Sequence, residues 1–250
     1  MTQWEQMLEN IKREYFTHPN DFLRQPTISR TIHPRQPKLA QRYQEYLTRD
    51  DIVRYTIVPF ITDSTVGQPH LQCYRNKLSL TSVQNAYYIH HMRLLLNENI
   101  IKDVDDVVDV GGGYGNMCRA FSKLGFNGSY SIVDFPTMHS IQRWFLGENK
   151  VENVKLKQLK QTSFDSVSNN SLMLATFSMN EMPLDDRSII EDNIRKFKYV
   201  FIAHNRDFDG INNIEYFNEL KSRLSDSFKI TQFTCPVNTS HRYFVGKKHD

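Results

Sequence analysis

Residues 109–115 read Asp109-Val110-Gly111-Gly112-Gly113-Tyr114-Gly115. An acid, one spacer and a run of glycines stand between a β-branched stretch and an amphipathic one. Such backbone lets a ligand approach closely, because glycine has no Cβ and reaches conformations that other residues avoid. A pyrophosphate-binding turn requires G-x-G-x-x-G at the opening of a helix. Counted from Gly111, its third glycine falls on Asn116; counted from Gly113, it falls on Cys118. A carboxylate at a strand end repels a pyrophosphate and suits a cation. A second acid, Asp134 in Ile132-Val133-Asp134-Phe135-Pro136, is placed to accept hydrogen bonds from two ribose hydroxyls. A nucleoside that carries a sulfonium and an ammonium and no phosphate, as S-adenosyl-L-methionine (SAM) does, fits both acids.

A second set of polar residues leaves apolar runs. In Thr176-Phe177-Ser178-Met179-Asn180-Glu181 the polar members Ser178, Asn180 and Glu181 suit contacts to an acceptor or to the methionine end of the cofactor. The alternative is a polar loop that leads into the next helix, with Asp185 as its N-cap. His204, at the end of Phe201-Ile202-Ala203-His204, is placed to take a proton from a hydroxyl; the alternative is a half-buried histidine bonded to a neighbouring loop. We expect His204 to be the base, with Glu181 orienting it or binding a neighbouring hydroxyl. Tyr114 is placed to flank the cofactor or to pack on the N-terminal region. Phe164 and Asp165 follow the third apolar run, where adenine-edge contacts are expected. His90 and His91 either face the acceptor or simply pack. Arg75, Lys77 and Arg93 read as a solvated face, or as partners for an acidic group. Asp185 and Asp186 do not make a metal site by themselves, and no metal is expected.

Alternating short apolar runs and helical patterns must position these residues. Strands are expected at 106–110, 130–135, 153–159, 171–178, 198–205, 228–236 and 242–249. Helical spacing fills the gaps, with Gly125 and Gly147 as stops and Pro136 in a first turn. Alternation of this kind implies a parallel sheet. The last two runs are separated by only five residues, Val237 to His241. A parallel connection needs a dozen or more, so they form an antiparallel β6–β7 hairpin. Five parallel strands followed by an antiparallel pair is the α/β, Rossmann-like pattern of class I methyltransferases. Residues 1–100 read differently. They carry an amphipathic start with Trp4, Met7, Leu8 and Ile11 on one stripe, several prolines, and an irregular connector broken by Pro59, Gly67 and Pro69. We therefore expect a helical N-terminal cap over 1–100 and a SAM-binding domain over 101–250.

The composition is 39% hydrophobic and 24% charged over 250 residues, with a net charge of +3. That balance describes a globular chain without the basic excess of a nucleic-acid binder. No apolar run approaches a membrane span. Cys73, Cys118 and Cys235 have no metal or disulfide spacing, which suits the cytoplasm. The N/D-P-P-Y/F motif of amino methylation and a Pro-Cys turn after the fourth strand are both absent.

Three segments together, Val107–Phe121, Tyr130–Leu146 and Leu174–Pro183, resemble the sugar O-methyltransferase family of bacterial and viral glycan clusters. That family carries a D/E-x-G-G-G-x-G loop, a hydrophobic-D-L-P second strand and an S-x-x-E-M segment after the fourth. Phe135 stands where leucine is usual. The resemblance implies a class I fold and SAM as donor, with S-adenosyl-L-homocysteine as product. It also implies a sugar or glycan hydroxyl as acceptor and a helical N-terminal part that shapes the acceptor site. Three alternatives stay open. They are O-methylation of a non-sugar small molecule, a nicotinamide-dependent reductase, and a non-catalytic partner of the same fold.

Overall fold

A computed structural model describes residues 3–75 and 77–249. The apolar runs form β1 (Asp106–Val110), β2 (Ser129–Val133), β3 (Val154–Lys157), β4 (Ser171–Thr176), β5 (Tyr199–Asn205), β6 (Phe228–Thr234) and β7 (His241–Lys248). They make one seven-stranded sheet in the order β3-β2-β1-β4-β5-β7-β6. The first five strands run parallel. β7 is antiparallel to both β5 and β6. Central strands covered on both faces read as continuous apolar runs rather than alternations; β4 is buried at five successive residues, Ser171 to Ala175. The expected hairpin is therefore present, and β7 enters the sheet between β5 and β6.

The helices are α1 (Gln3–Thr17), α2 (Pro26–Thr31), α3 (Pro37–Leu47), α4 (Asp51–Thr56), α5 (Leu80–Leu95), α6 (Ile100–Asp103), α7 (Asn116–Lys123), α8 (Pro136–Glu148), α9 (Leu184–Ile194) and α10 (Asn213–Leu224). α8 starts at Pro136, whose fixed φ and missing N–H suit a first turn. α10 is capped by Asn212, whose side chain accepts from the N–H groups of Ile214 and Glu215 at 3.1 and 3.2 Å. Between β5 and α10 lies a short ribbon, Asp207–Phe208 against Ile211–Asn212. Asp209 and Gly210, both at positive φ, make its turn.

Two compact units result, and they cut across residue 100. The helical unit holds the described residues through His90 together with Gly113–Gly125 and Pro136–Glu152. The sheet unit holds His91–Gly112, Phe126–Phe135 and the described residues from Asn153 onward. α7 and α8 thus belong with the N-terminal helices, for reasons visible in their contacts. Trp144 of α8 meets Tyr15 and Phe22 edge-on at centroid distances of 6.2 and 5.7 Å. Arg119 of α7 is buried and donates to the carbonyls of Ile61 and Thr62 at 3.1 and 2.9 Å. Asp63, next in the irregular connector, accepts from Ser79 N–H and Ser82 Oγ at 2.6 and 2.7 Å. Leu8 and Ile11 of the α1 stripe are buried, whereas the side chain of Trp4 lies outside the described residues. In the sheet unit, α9 and α10 cover one face: Ile190, Ile194, Phe217, Leu220 and Leu224 pack on Val108, Met173, Val200 and Ile202.

Candidate active site

The glycine loop leaves β1 where the backbone is most constrained. Gly111 has φ +70°, and a Cβ there would collide with Cβ of Ser178. A Cβ on Gly112 would lie 2.8 Å from Ile132 Cγ2 and 3.0 Å from Asp109 Oδ2. Gly113, at φ +56°, has nothing within 4 Å of its Cβ position. The first two glycines are therefore required by the protein itself, and the third leaves space that a side chain would fill. Gly111 N–H donates to Val133 O at 2.8 Å, which ties the loop to the end of β2. The Ser178 hydroxyl donates to Val110 O and braces the loop from the exit of β4.

Asp109 is 1% exposed. Its Oδ2 accepts from Tyr130 OH at 2.9 Å, while its Oδ1 has no partner among the described residues. Burial pushes the Asp109 carboxyl up to about 7, against a smaller lowering by the Tyr130 hydroxyl. An orphaned oxygen on a buried acid is expensive unless a donor reaches it. That atom suits a cationic cofactor head.

Asp134 follows β2 and is half-buried. Its Oδ1 accepts from Phe135 N–H at 2.8 Å, and its own N–H donates to Lys157 O at 2.9 Å, beside the end of β3. Phe135 is 47% exposed, an unusual position for an aromatic ring next to an acid. Phe164 is a core residue, edge-on to Phe197 at 6.0 Å. Asp165 is exposed and paired with Lys196 and Ser163. β3 ends at Lys157, so the residues at its mouth are Gln158 to Gln161, and 164 comes too late.

The exit of β4 is strained. Phe177 sits at φ +66°, a conformation that a bulky residue seldom adopts. Its N–H is held by Ala203 O at 2.8 Å. Asn180 is wholly buried, and neither side-chain polar atom has a partner among the described residues. Burial pushes the Glu181 carboxyl up to about 7. Arg187, not singled out from the sequence, holds this segment. It is fully buried and donates to Asn180 O at 2.6 Å, Met182 O at 2.9 Å and Asn213 Oδ1 at 2.8 Å. Its guanidinium also lies 4.6 Å from the Tyr216 ring centre.

The expected pairing of His204 with Glu181 is not formed. The His204 ring stacks on Phe217 at 4.1 Å, and its Nδ1 lies 3.0 Å from Asn205 O. A carbonyl only accepts, so Nδ1 carries the proton and Nε2 is the bare nitrogen. Burial holds His204 down to about 4. His91 is 7% exposed and stacks on Phe233 at 5.1 Å, and His90 is 8% exposed with Nδ1 3.8 Å from Asp50. The Tyr114 ring is buried in the helical unit. It is edge-on to Phe145 at 4.8 Å, and its hydroxyl is 3.3 Å from His33 Nδ1. Only its backbone remains in the loop. Arg75 and Lys77 are exposed; Arg93 donates to Glu98 O at 2.8 Å. Among the described residues no group of three or more His, Cys, Asp or Glu side chains is arranged to hold a metal, and no helix is long and apolar enough to cross a membrane.

No protein-family model matches the sequence, and no curated protein matches it. Solved structures do match. An rRNA methylase from Streptococcus thermophilus aligns with TM-score 0.51 at 12% identity, over 68% of this chain and 96% of that one. A precorrin-6y C5,15-methyltransferase from Geobacter metallireducens aligns with TM-score 0.46 at 16% identity, over 66% and 87%. A fibrillarin pre-rRNA processing protein from Methanococcus jannaschii aligns with TM-score 0.45 at 19% identity, over 59% and 68%. The sheet order, the reversed β7 and the likeness to the Streptococcus thermophilus enzyme together give this chain the Rossmann-like α/β fold of the methyltransferases.

Proposed function

We propose that the chain is a SAM-dependent O-methyltransferase that acts on a sugar hydroxyl. The observation that carries the reading is Asp109, a buried acid at the root of a glycine loop with one oxygen left for a cationic ligand. A pyrophosphate is repelled by that acid once it ionises. Gly111 and Gly112 would hold the methionine end of the cofactor, Asp134 the ribose hydroxyls and Phe135 a face of the adenine. Gln158 to Gln161 take over the adenine edge that Phe164 and Asp165 were expected to supply. When bound, SAM supplies an electrophilic methyl group on a sulfonium leaving group.

The chain's own residues must orient the acceptor and take its proton. Glu181 is better suited than His204 to be the base. A general base works best with a pKa near the operating pH, and Glu181 stands at about 7 against about 4 for His204. Glu181 would take the proton of the acceptor hydroxyl on its carboxylate. Asn180 supplies a donor and an acceptor for a neighbouring hydroxyl, which would complete its two orphaned atoms. The sugar is supported by the three-segment resemblance and by the small net charge. The test is transfer of a carbon-13 methyl group from SAM to panels of sugars and nucleotide sugars, phenols, and RNA. A methyl ether on a sugar is the expected product. Labelling of RNA or a phenol alone would overturn the acceptor class.

A further inference from the structure

The sheet unit holds a cavity of about 180 Å³ that the proposed chemistry does not use. Its lining includes His204 at the end of β5, Gln232, Phe233 and Thr234 of β6, Arg242 of β7 and Ile214 of α10. A volume below the ~300 Å³ typical of drug-sized sites suits a ligand of one small ring.

Asn218 and Tyr243 complete the lining, and four of its polar groups have defined roles. His204 is 2% exposed; with Nδ1–H committed to Asn205 O, its Nε2 can only accept. Gln232 donates its Nε2 to Phe217 O at 3.2 Å, so its Oε1 is left as an acceptor. Arg242 uses Nη1 on Thr234 Oγ1 and Thr239 O, at 3.2 and 3.3 Å. Its Nε and Nη2 have no partner among the described residues. Thr234 Oγ1 accepts from Arg242 and keeps its own hydrogen to donate. Two bare acceptors ask for hydroxyl donors, and the unspent edge of a guanidinium asks for a planar oxyanion. Phe233 and Ile214 supply an apolar wall.

We propose that this cavity binds a small polyhydroxylated carboxylate, one sugar-acid ring, with hydroxyls on His204 and Gln232 and the carboxylate on Arg242. The site belongs to the sheet unit alone and requires no cofactor, so binding and methyl transfer can fail separately.

The test is a titration of the full chain without SAM, read from the imidazole nitrogen signals of His204 and from calorimetry. Glucuronate, glucose and inorganic phosphate are the probes, each to about 10 mM, where a site of millimolar affinity is filled. Glucuronate is expected to shift His204 Nε2 saturably and to bind about tenfold or more tightly than glucose, the factor set by a charged hydrogen bond. Arg242→Gln should reduce glucuronate to the level of glucose, and Gln232→Leu should weaken both sugars alike. Three results would overturn the proposal: equal binding of glucose and glucuronate, binding of phosphate alone, or no saturable shift with any probe in the wild-type protein. The wild-type comparison of probes stands even if a variant fails to fold.

Discussion

Asp109 makes SAM binding depend on pH in a calculable way. In the free protein its carboxyl stands at about 7 because it is buried. A bound ammonium favours the ionised form and pulls that value down, so binding expels a proton. With a pKa of 7, about 3% of the acid is ionised at pH 5.5 and about half at pH 7, so affinity should rise about fifteenfold over that window. The α-amino group of the ligand stays largely charged there, since such groups titrate at about 7.7–8.0. Calorimetry in two buffers of different ionisation enthalpy should report about half a proton released at pH 7. Asp109→Asn should flatten the pH dependence while preserving the loop, because asparagine matches the shape of the acid. Tyr130→Phe should steepen it, because it removes the hydroxyl that holds the carboxyl down. Adenosine, which has no ammonium, should show no such dependence. A wild-type affinity flat from pH 5.5 to 7, or an equal slope for adenosine, refutes the reasoning.

The other predictions concern catalysis, strain and stability. Glu181→Gln should lower kcat by about 10²–10⁴-fold and remove the rising limb near pH 7, with SAM affinity unchanged, whereas His204→Ala should retain turnover; steady-state kinetics across pH checks both. Arg187→Met leaves the buried carbonyls of Asn180 and Met182 and the Asn213 side chain without their donor, and should destabilise by about 3–5 kcal/mol in urea unfolding. Gly111→Ala should abolish SAM binding through its collision with Ser178, and adding Ser178→Gly should restore part of it. In the ligand-free protein Asp109 should contribute a loss of stability as pH rises from about 4 to 7, because the folded acid keeps its proton to about 7 while the unfolded acid ionises near 3.8. In Asp109→Asn, unfolding free energies should lack that part of the slope.

The strands were legible within a residue or two because a parallel strand buried on both faces leaves a continuous apolar run bounded by turn residues. Val107 to Val110 and Leu172 to Ala175 are of this kind. The β6–β7 hairpin followed from its short connection alone. The ribbon at Asp207–Asn212 carries a turn signal in the sequence, Asp209-Gly210. The cut between units was not legible at residue 100. Periodicity shows that α7 and α8 have an apolar face, not which partner covers it, and Trp144 and Arg119 chose the N-terminal helices. Arg187 sits among Asp185, Asp186 and Ser188 and looks like an ordinary surface charge; only tertiary contacts bury it. His91 and Tyr114 each have a polar atom and a large ring, and burial of the ring decided both.

The most direct measurement is a calorimetric titration of the wild-type protein with SAM, S-adenosyl-L-homocysteine and NADH, repeated on Asp109→Asn and Asp134→Ala. SAM and S-adenosyl-L-homocysteine should bind at one site. Asp109→Asn should weaken both, and Asp134→Ala should weaken both by roughly 1.5–3 kcal/mol for each ribose hydrogen bond lost to a charged acceptor. NADH should not bind. Saturable binding of NADH with none of SAM would refute the assignment of the cofactor.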